Sequence, residues 1–244
     1  IRQALRRQHC DGMLLSALDD IDWTLNMRGT DVHCNPVFVS YLVIEHEKTT
    51  LFVDNGKLTS EVSAYLAMLS IKVLPYNEVG KYLKRDYFAY NILLDPNETN
   101  SYLVACAKEG RAAVVLTASP IPEMKAVKNE TEIQGFHNAM KRDGVAMVKF
   151  LKWLIPAVKA GHETEISLDK KLTYLRSQQS LFRDSSFDTI VGYEHHGAIV
   201  HYEATPETDI AIEPHGFVLI DSGAQYQDGT TDITRTIALG PLTE

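Results

Sequence analysis

Across the first half of the chain, short runs of apolar, often β-branched residues alternate with segments whose apolar positions recur every three or four residues. The runs at 12–15, 38–44, 50–53, 71–74, 92–94 and 113–116 predict strands, and 18–26, 59–69, 79–88 and 101–107 predict helices. Ser16 is the expected N-cap of the first helix. Glu45-His46-Glu47-Lys48 separates two strand-like runs and reads as the turn of an antiparallel hairpin. Such alternation predicts an α/β layer, a mixed sheet with flanking helices.

The pattern changes at Ser119-Pro120-Ile121-Pro122, which reads as an extended linker because proline disfavours both helix and sheet. The expected domains are therefore 1–122 and 123–244. Beyond the linker, Ile133, Phe136, Met140, Gly144, Val148, Leu151 and Leu154 mark a long amphipathic helix ending near Pro156. Thr164 offers the N-cap of a second helix reaching about Gln178. Strand-like runs then follow at 189–191, 198–202, 217–220 and 233–239, an α+β order.

Composition narrows the function classes. The 244 residues carry 24 Lys and Arg against 32 Asp and Glu, a net charge of −8. The longest basic runs noted are the pairs Arg6-Arg7 and Lys170-Lys171, so no footprint for nucleic acid or an anionic membrane is expected. No apolar run nears the roughly 18 residues needed to cross a bilayer. Cys10, Cys34 and Cys106 are scattered and odd in number, which predicts a reducing, cytoplasmic compartment, and the acidic balance predicts a small or peptidic partner. The chain begins at Ile1 rather than Met, the mark expected of a piece of a longer polypeptide.

Candidate chemistry concentrates near the end. Asp221 closes the apolar run Phe217-Val218-Leu219-Ile220, and Asp232 opens the next strand eleven positions later. Two carboxylates at the edge of a sheet core need a cation or a shifted pKa. Strand parity puts Phe217, Leu219 and Asp221 on one face, and Asp232, Thr234 and Thr236 on one face of the returning strand. A two-residue Asp228-Gly229 turn would pair Asp221 with Thr236, so a wider or bulged loop is expected. Taken singly, Asp221 also reads as a turn residue and Asp232 as a solvated loop acid. Upstream, Glu194-His195-His196-Gly197-Ala198-Ile199-Val200-His201-Tyr202 sets His201 at the end of a strand-like run. There it could relay a proton, sit as a hydrogen-bonded core residue, or join His195 and His196 as a zinc ligand.

The segment 218–226, continuing through Asp228-Gly229-Thr230-Thr231-Asp232-Ile233-Thr234-Arg235-Thr236, closely resembles the dinuclear-metal hairpin of Xaa-Pro aminopeptidases in the creatinase/aminopeptidase superfamily. Gly197-Ala198-Ile199-Val200-His201-Tyr202 resembles the preceding loop and strand. Met124-Lys125-Ala126-Val127-Lys128-Asn129 with Arg142-Asp143 is similar to the start of their catalytic domain. Ser16-Ala17-Leu18-Asp19 through Trp23, Asn26-Met27-Arg28-Gly29 and Asn35-Pro36-Val37-Phe38 are similar to the middle domain of the three-domain branch.

The resemblance implies a creatinase N-terminal-like domain followed by an incomplete pita-bread catalytic domain. It implies two divalent ions, manganese first among candidates, with Asp221 and Asp232 as ligands and Asp232 bridging. It places His201 beside the substrate carbonyl, with His196, Tyr202 and Arg28 towards the peptide. The implied reaction is hydroxide attack from between the ions, releasing the residue before a proline, by a cytoplasmic homodimer. The family commonly has Asn where this chain has His196. It also completes the metal site with one His and two Glu on later strands, so the 244 residues alone are expected to be inactive. Xaa-Pro dipeptidase shares the hairpin and is the nearest rival; a pita-bread pseudoenzyme acting as a binding module is another. A role for Arg28 confined to its own domain is the plainer alternative to substrate contact.

Overall fold

The computed structural model describes residues 1–85 and 90–241, which divide into two compact units. The first comprises residues 1–32 and 36–127, the second residues 33–35 and 128–244.

In the first unit the helices are α1 (Arg2–Arg7), α2 (Leu18–Leu25), α3 (Ser60–Met68), α4 (Val79–Leu83), α5 (Ser101–Glu109) and α6 (Ile121–Ala126). The strands are β1 (Gly12–Leu15), β2 (Ser40–Glu45), β3 (Thr49–Val53), β4 (Ile71–Pro75), β5 (Asn91–Leu94) and β6 (Ala113–Leu116). They form one six-stranded mixed sheet in the order β4-β3-β2-β1-β5-β6. The expected β2–β3 hairpin is antiparallel, and β1–β5, β3–β4 and β5–β6 are parallel. Every residue of β1 is buried, because alternate side chains feed separate cores on the two faces. Met13 and Leu15 join Ile21, Leu42, Leu51 and Leu93 on one side; Leu14 joins Val43, Phe52, Leu83 and Leu103 on the other.

Three local expectations change. Ala17, not Ser16, is the N-cap of α2, and the Ser16 hydroxyl is buried without a hydrogen-bond partner. Pro120 and Pro122 do not make an extended linker: Pro120 is the N-cap of α6 and Pro122 lies in its first turn, where a missing N–H costs nothing. The helix expected over 79–88 ends at Leu83, with residues 86–88 outside the described ones.

The second unit opens with α7 (Glu130–Ala160) and α8 (Glu165–Ser177), each started by a capping box, on Asn129 and Thr164. Its strands are β7 (Phe182–Ser185), β8 (Ile190–Tyr193), β9 (Phe217–Ser222), β10 (Ala224–Tyr226), β11 (Gly229–Thr230) and β12 (Ile233–Ala238). They make two three-stranded sheets, β12-β9-β8 and β11-β10-β7. The core of Phe150, Leu154, Leu168, Leu172, Val218 and Ile220 packs both helices against the first of these.

α7 passes through Pro156 and ends at Ala160. The buried stripe is also not the expected one: Gly135, Ala139, Asp143, Ala146, Met147, Phe150, Leu154 and Val158 face inward, while Ile133, Phe136, Met140 and Val148 are exposed. The inward stripe begins with small residues because the β10–β11 turn lies against it; a Cβ on Gly135 would collide with the Asp228 carbonyl. Residues 198–202 are not a strand. A 3-10 turn occupies Glu194–Ala198, and Ile199 and Val200 face solvent, since β-branched residues make no strand without a pairing edge.

One titration follows from the first unit. The Asp22 carboxyl on α2 is buried, and burial pushes its pKa up to about 7 from the ordinary 3.8, against the opposing pull of Arg28. A carboxyl raised in the fold favours the protonated form. Stability is therefore fullest below about pH 4, falls as pH rises through 4 to 7, and levels off above that. The loss is at most about 4 kcal/mol. Thermal unfolding of the first unit across pH 4–8 should show this decline, and Asp22→Asn should flatten it; an unchanged slope in the variant would assign the decline to other groups.

Candidate metal and peptide site

Register brings the two acids together. β9 and β12 pair with Ile233 opposite Ser222 and Thr234 opposite Asp221. β10 and β11 continue the same offset, Gln225 opposite Thr230 and Tyr226 opposite Gly229, so the closing turn is Gln227-Asp228. That is one position earlier than the Asp228-Gly229 turn considered from sequence. The shift moves Asp221 from Thr236 to Thr234, and no bulge is needed within the hairpin. Asp232 lies two residues before Thr234 and therefore diagonal to Asp221 on the same face.

Asp221 is half-buried and Asp232 exposed. The Thr234 hydroxyl donates to Asp221 Oδ1 at 2.8 Å. Among the described residues neither carboxylate forms an ion pair, so both keep oxygen lone pairs for a cation. A diagonal pair of carboxylates suits hard divalent ions held side by side by oxygen. The residues present thus fit the implied metals, as part of a ligand set.

The hairpin is anchored from behind. Arg176 on α8 donates from Nε to Asp143 Oδ1 at 2.6 Å and from Nη2 to Oδ2 at 3.0 Å, both side chains fully buried. Its Nη1 reaches the Gly223 carbonyl at 3.4 Å, two residues after Asp221. Tyr226 of β10 donates its hydroxyl to Asp143 Oδ1 at 3.1 Å, and burial beside that carboxylate raises the phenol pKa. Arg142 pairs with Asp228 in the closing turn.

His201 stands after the 3-10 turn, exposed, with a left-handed φ of 55°. It is not the end of a buried strand. His196 and Tyr202 are buried around Glu165, their rings 4.4 Å apart. His196 Nδ1 lies 3.0 Å from both Glu165 oxygens, and the Tyr202 hydroxyl donates to Oε2 at 2.9 Å. His196 Nδ1 and the Tyr202 hydroxyl are thus directed at Glu165. Arg28 is exposed and donates from Nη1 to the carbonyls of Met27 at 2.7 Å and Asp22 at 3.3 Å, contacts within its own unit. The zinc alternative at His195, His196 and His201 is not formed. Among the described residues, the group of three potential ligands within 4.8 Å is His33, Cys34 and Asp188.

Sequence reasoning missed Glu165, Asp143 and Arg176 as a buried set. Asp143 and Arg176 had one faint signal, the small residues Gly135 and Ala139 four apart and in line with Asp143 on α7. Glu165 had none beyond its place after the Thr164 cap.

A mixed-sheet unit followed by a helix-backed hairpin with paired carboxylates defines the class: the chain belongs to the creatinase/prolidase family. Residues 1–132 match the Creatinase/Prolidase N-terminal domain and residues 134–244 match metallopeptidase family M24. Over its whole length the chain is 44% identical to Xaa-Pro aminopeptidase 1 of Dictyostelium discoideum and 39% identical to Xaa-Pro aminopeptidase ApepP of Drosophila melanogaster. It spans 39% and 40% of their respective lengths. All of it superposes on 40% of an X-prolyl aminopeptidase from Caenorhabditis elegans, at a TM-score of 0.92 and 33% identity. That protein is described as a cytosolic enzyme with a di-nuclear active site. A Xaa-Pro dipeptidase from Bacillus anthracis shares the fold at a TM-score of 0.76 and 21% identity, with 64% of it covered.

Removing one partner of the Asp143–Arg176 pair leaves a buried charge uncompensated. Asp143→Ala should cost about 3–5 kcal/mol. Replacing both residues by apolar ones of similar size should cost much less. Urea unfolding followed at Trp153 would read both, and a loss under about 1 kcal/mol for Asp143→Ala would show that the pair is not an anchor.

Proposed function

We propose that this chain is part of a metal-dependent aminopeptidase that releases the N-terminal residue when proline is second. The observation that carries the proposal is the diagonal Asp221–Asp232 pair, in a chain 44% identical throughout its length to an Xaa-Pro aminopeptidase. In this reading Asp221 and Asp232 would hold two divalent ions, manganese by preference for an all-oxygen pair. The ions, when bound, supply an activated water and Lewis acidity at the scissile carbonyl.

The chain's own residues orient the rest. The Thr234 hydroxyl turns one Asp221 oxygen and leaves the other free. His201, presented to solvent by its left-handed backbone, donates a proton or hydrogen bond to the substrate carbonyl as charge develops there. His196 and Tyr202 border the peptide through their ring faces, with His196 Nδ1 and the Tyr202 hydroxyl held by Glu165. Arg28 is kept as a peptide contact, although its observed hydrogen bonds serve its own unit. A proline after the scissile bond makes a tertiary amide with no N–H, which a dedicated site can select. The assembly expected is a cytoplasmic homodimer acting on peptides, with no nucleic-acid or membrane partner. Identity at 44% to an aminopeptidase, against fold likeness alone to the dipeptidase, favours the first substrate class.

The full-length protein should hydrolyse Xaa-Pro-Xaa in a metal-dependent way and spare Xaa-Ala-Xaa; equal cleavage would refute proline selection. His201→Ala should lower kcat by about 10²–10⁴-fold with metal content unchanged, and loss of metal would instead make it a ligand. The 244-residue chain by itself offers two carboxylates, too few to close two ion sites, so manganese should bind weakly and no peptide should be turned over. Calorimetric titration showing tight binding of two ions would refute that.

A further inference from the structure

Glu165 is a carboxylate at 0% exposure in the first turn of α8, and nothing in the proposed reaction uses it directly. Among the described residues no lysine or arginine pairs with it. It is held instead by an N–H, an imidazole and a hydroxyl. The donors come from three points along one loop. The backbone N–H of Tyr193 reaches Oε1 at 2.8 Å, His196 Nδ1 sits 3.0 Å from each oxygen, and the Tyr202 hydroxyl reaches Oε2 at 2.9 Å. The loop therefore begins, turns and ends on a single anion.

Between those attachments the backbone holds two left-handed residues that are not glycine, Glu194 at φ 51° and His201 at φ 55°. Such conformations are strained and persist only where surrounding contacts over-determine them. Tyr202 is the residue next to His201, so the fixed Tyr202 ring leaves the preceding imidazole little choice of direction. Ile199 and Val200, by contrast, are exposed and anchor nothing.

We propose that Glu165 is the positioning residue for His201, acting through Tyr202 and His196 to hold the imidazole where it meets the substrate carbonyl. The inference rests on the role assigned above to His201. The Thr208 hydroxyl lies 3.3 Å from the Tyr202 oxygen, and the Asp209 carboxylate accepts from the Ile166 N–H beside Glu165 at 3.1 Å.

The test is a double-mutant cycle in the full-length, metal-loaded enzyme, using Glu165→Gln and Glu165→Ala with His201→Ala. Glu165→Ala should lower kcat at least tenfold with KM changed less and both ions retained. Glu165→Gln keeps an acceptor for the Tyr193 N–H and should recover part of the loss. In the His201→Ala background either Glu165 change should have little further effect, because the group being positioned is gone. Full additivity of the two losses, or a Glu165→Ala enzyme as fast as the parent, would overturn the inference. If Glu165→Ala fails to fold, the Glu165→Gln arm of the cycle decides by the same criterion. If His201→Ala alone leaves kcat unchanged, the failure belongs to the functional reading and not to Glu165.

Discussion

The buried pair of Asp143 and Arg176 is the interaction on which the second unit depends. Removing two charges from water is expensive, and an attraction between them offsets that cost only when geometry is good and the remaining valences are filled. Both conditions are met here: the pair is bidentate, Tyr226 fills a further Asp143 site, and Gly223 takes another Arg176 donor. Its partners come from α7, α8 and the strand segment that carries the carboxylates. The same contacts that neutralise the charges therefore fix where the hairpin lies on the helices. An apolar core alone would hold these elements together without deciding their register.

Register is the step at which local pattern stopped being informative. Strand parity correctly put Asp221 and Asp232 on one face, because side-chain alternation is intrinsic to a strand. The strong Asp-Gly turn signal makes a wider or bulged loop the expectation, but the chain turns at the weaker Gln227-Asp228 and needs no bulge. Packing decided otherwise. Gly135 and Ala139 make room for the Asp228-Gly229 backbone against α7, and the Arg142–Asp228 pair holds it there. The first unit was more legible, its six strands and main helices falling within a few residues of expectation. Strands buried on both faces are apolar throughout and need no partner to be recognised. Ser16 and the Pro120–Pro122 segment misled because a cap and a helix start depend on backbone geometry as well as residue type.

The α7 stripe shows the opposite failure. Ile133, Phe136, Met140 and Val148 have the larger apolar side chains, so periodicity selects them as the core face. The face actually buried starts with glycine, alanine and a charged aspartate, residues a hydrophobicity pattern discounts. Close approach of backbone and neutralisation of a buried acid outrank apolar content at this end of the helix. Further along, Phe150 and Leu154 restore the ordinary rule.

The site divides its labour according to how much freedom each part can tolerate. Oxygen ligands of the kind proposed at Asp221 and Asp232 would need fixed spacing, and paired strands supply it, because a change in one carboxylate's position would require moving a whole ladder. The imidazole proposed to meet the peptide has no such partner strand, and the 194–202 segment is unpaired and partly exposed. Left to itself, a loop of that kind samples many conformations, and a misplacement of about 1 Å can cost roughly 10²-fold in rate. A single buried carboxylate with attachments at residues 193, 196 and 202 removes that freedom without building a strand. It does so from the side away from solvent, leaving His201 open. The histidine at 196 fits this arrangement for a chemical reason: its Nδ1 lies against the carboxyl beneath it while the ring packs tilted beside Tyr202, so one side chain fills both the polar and the apolar side of the anchor.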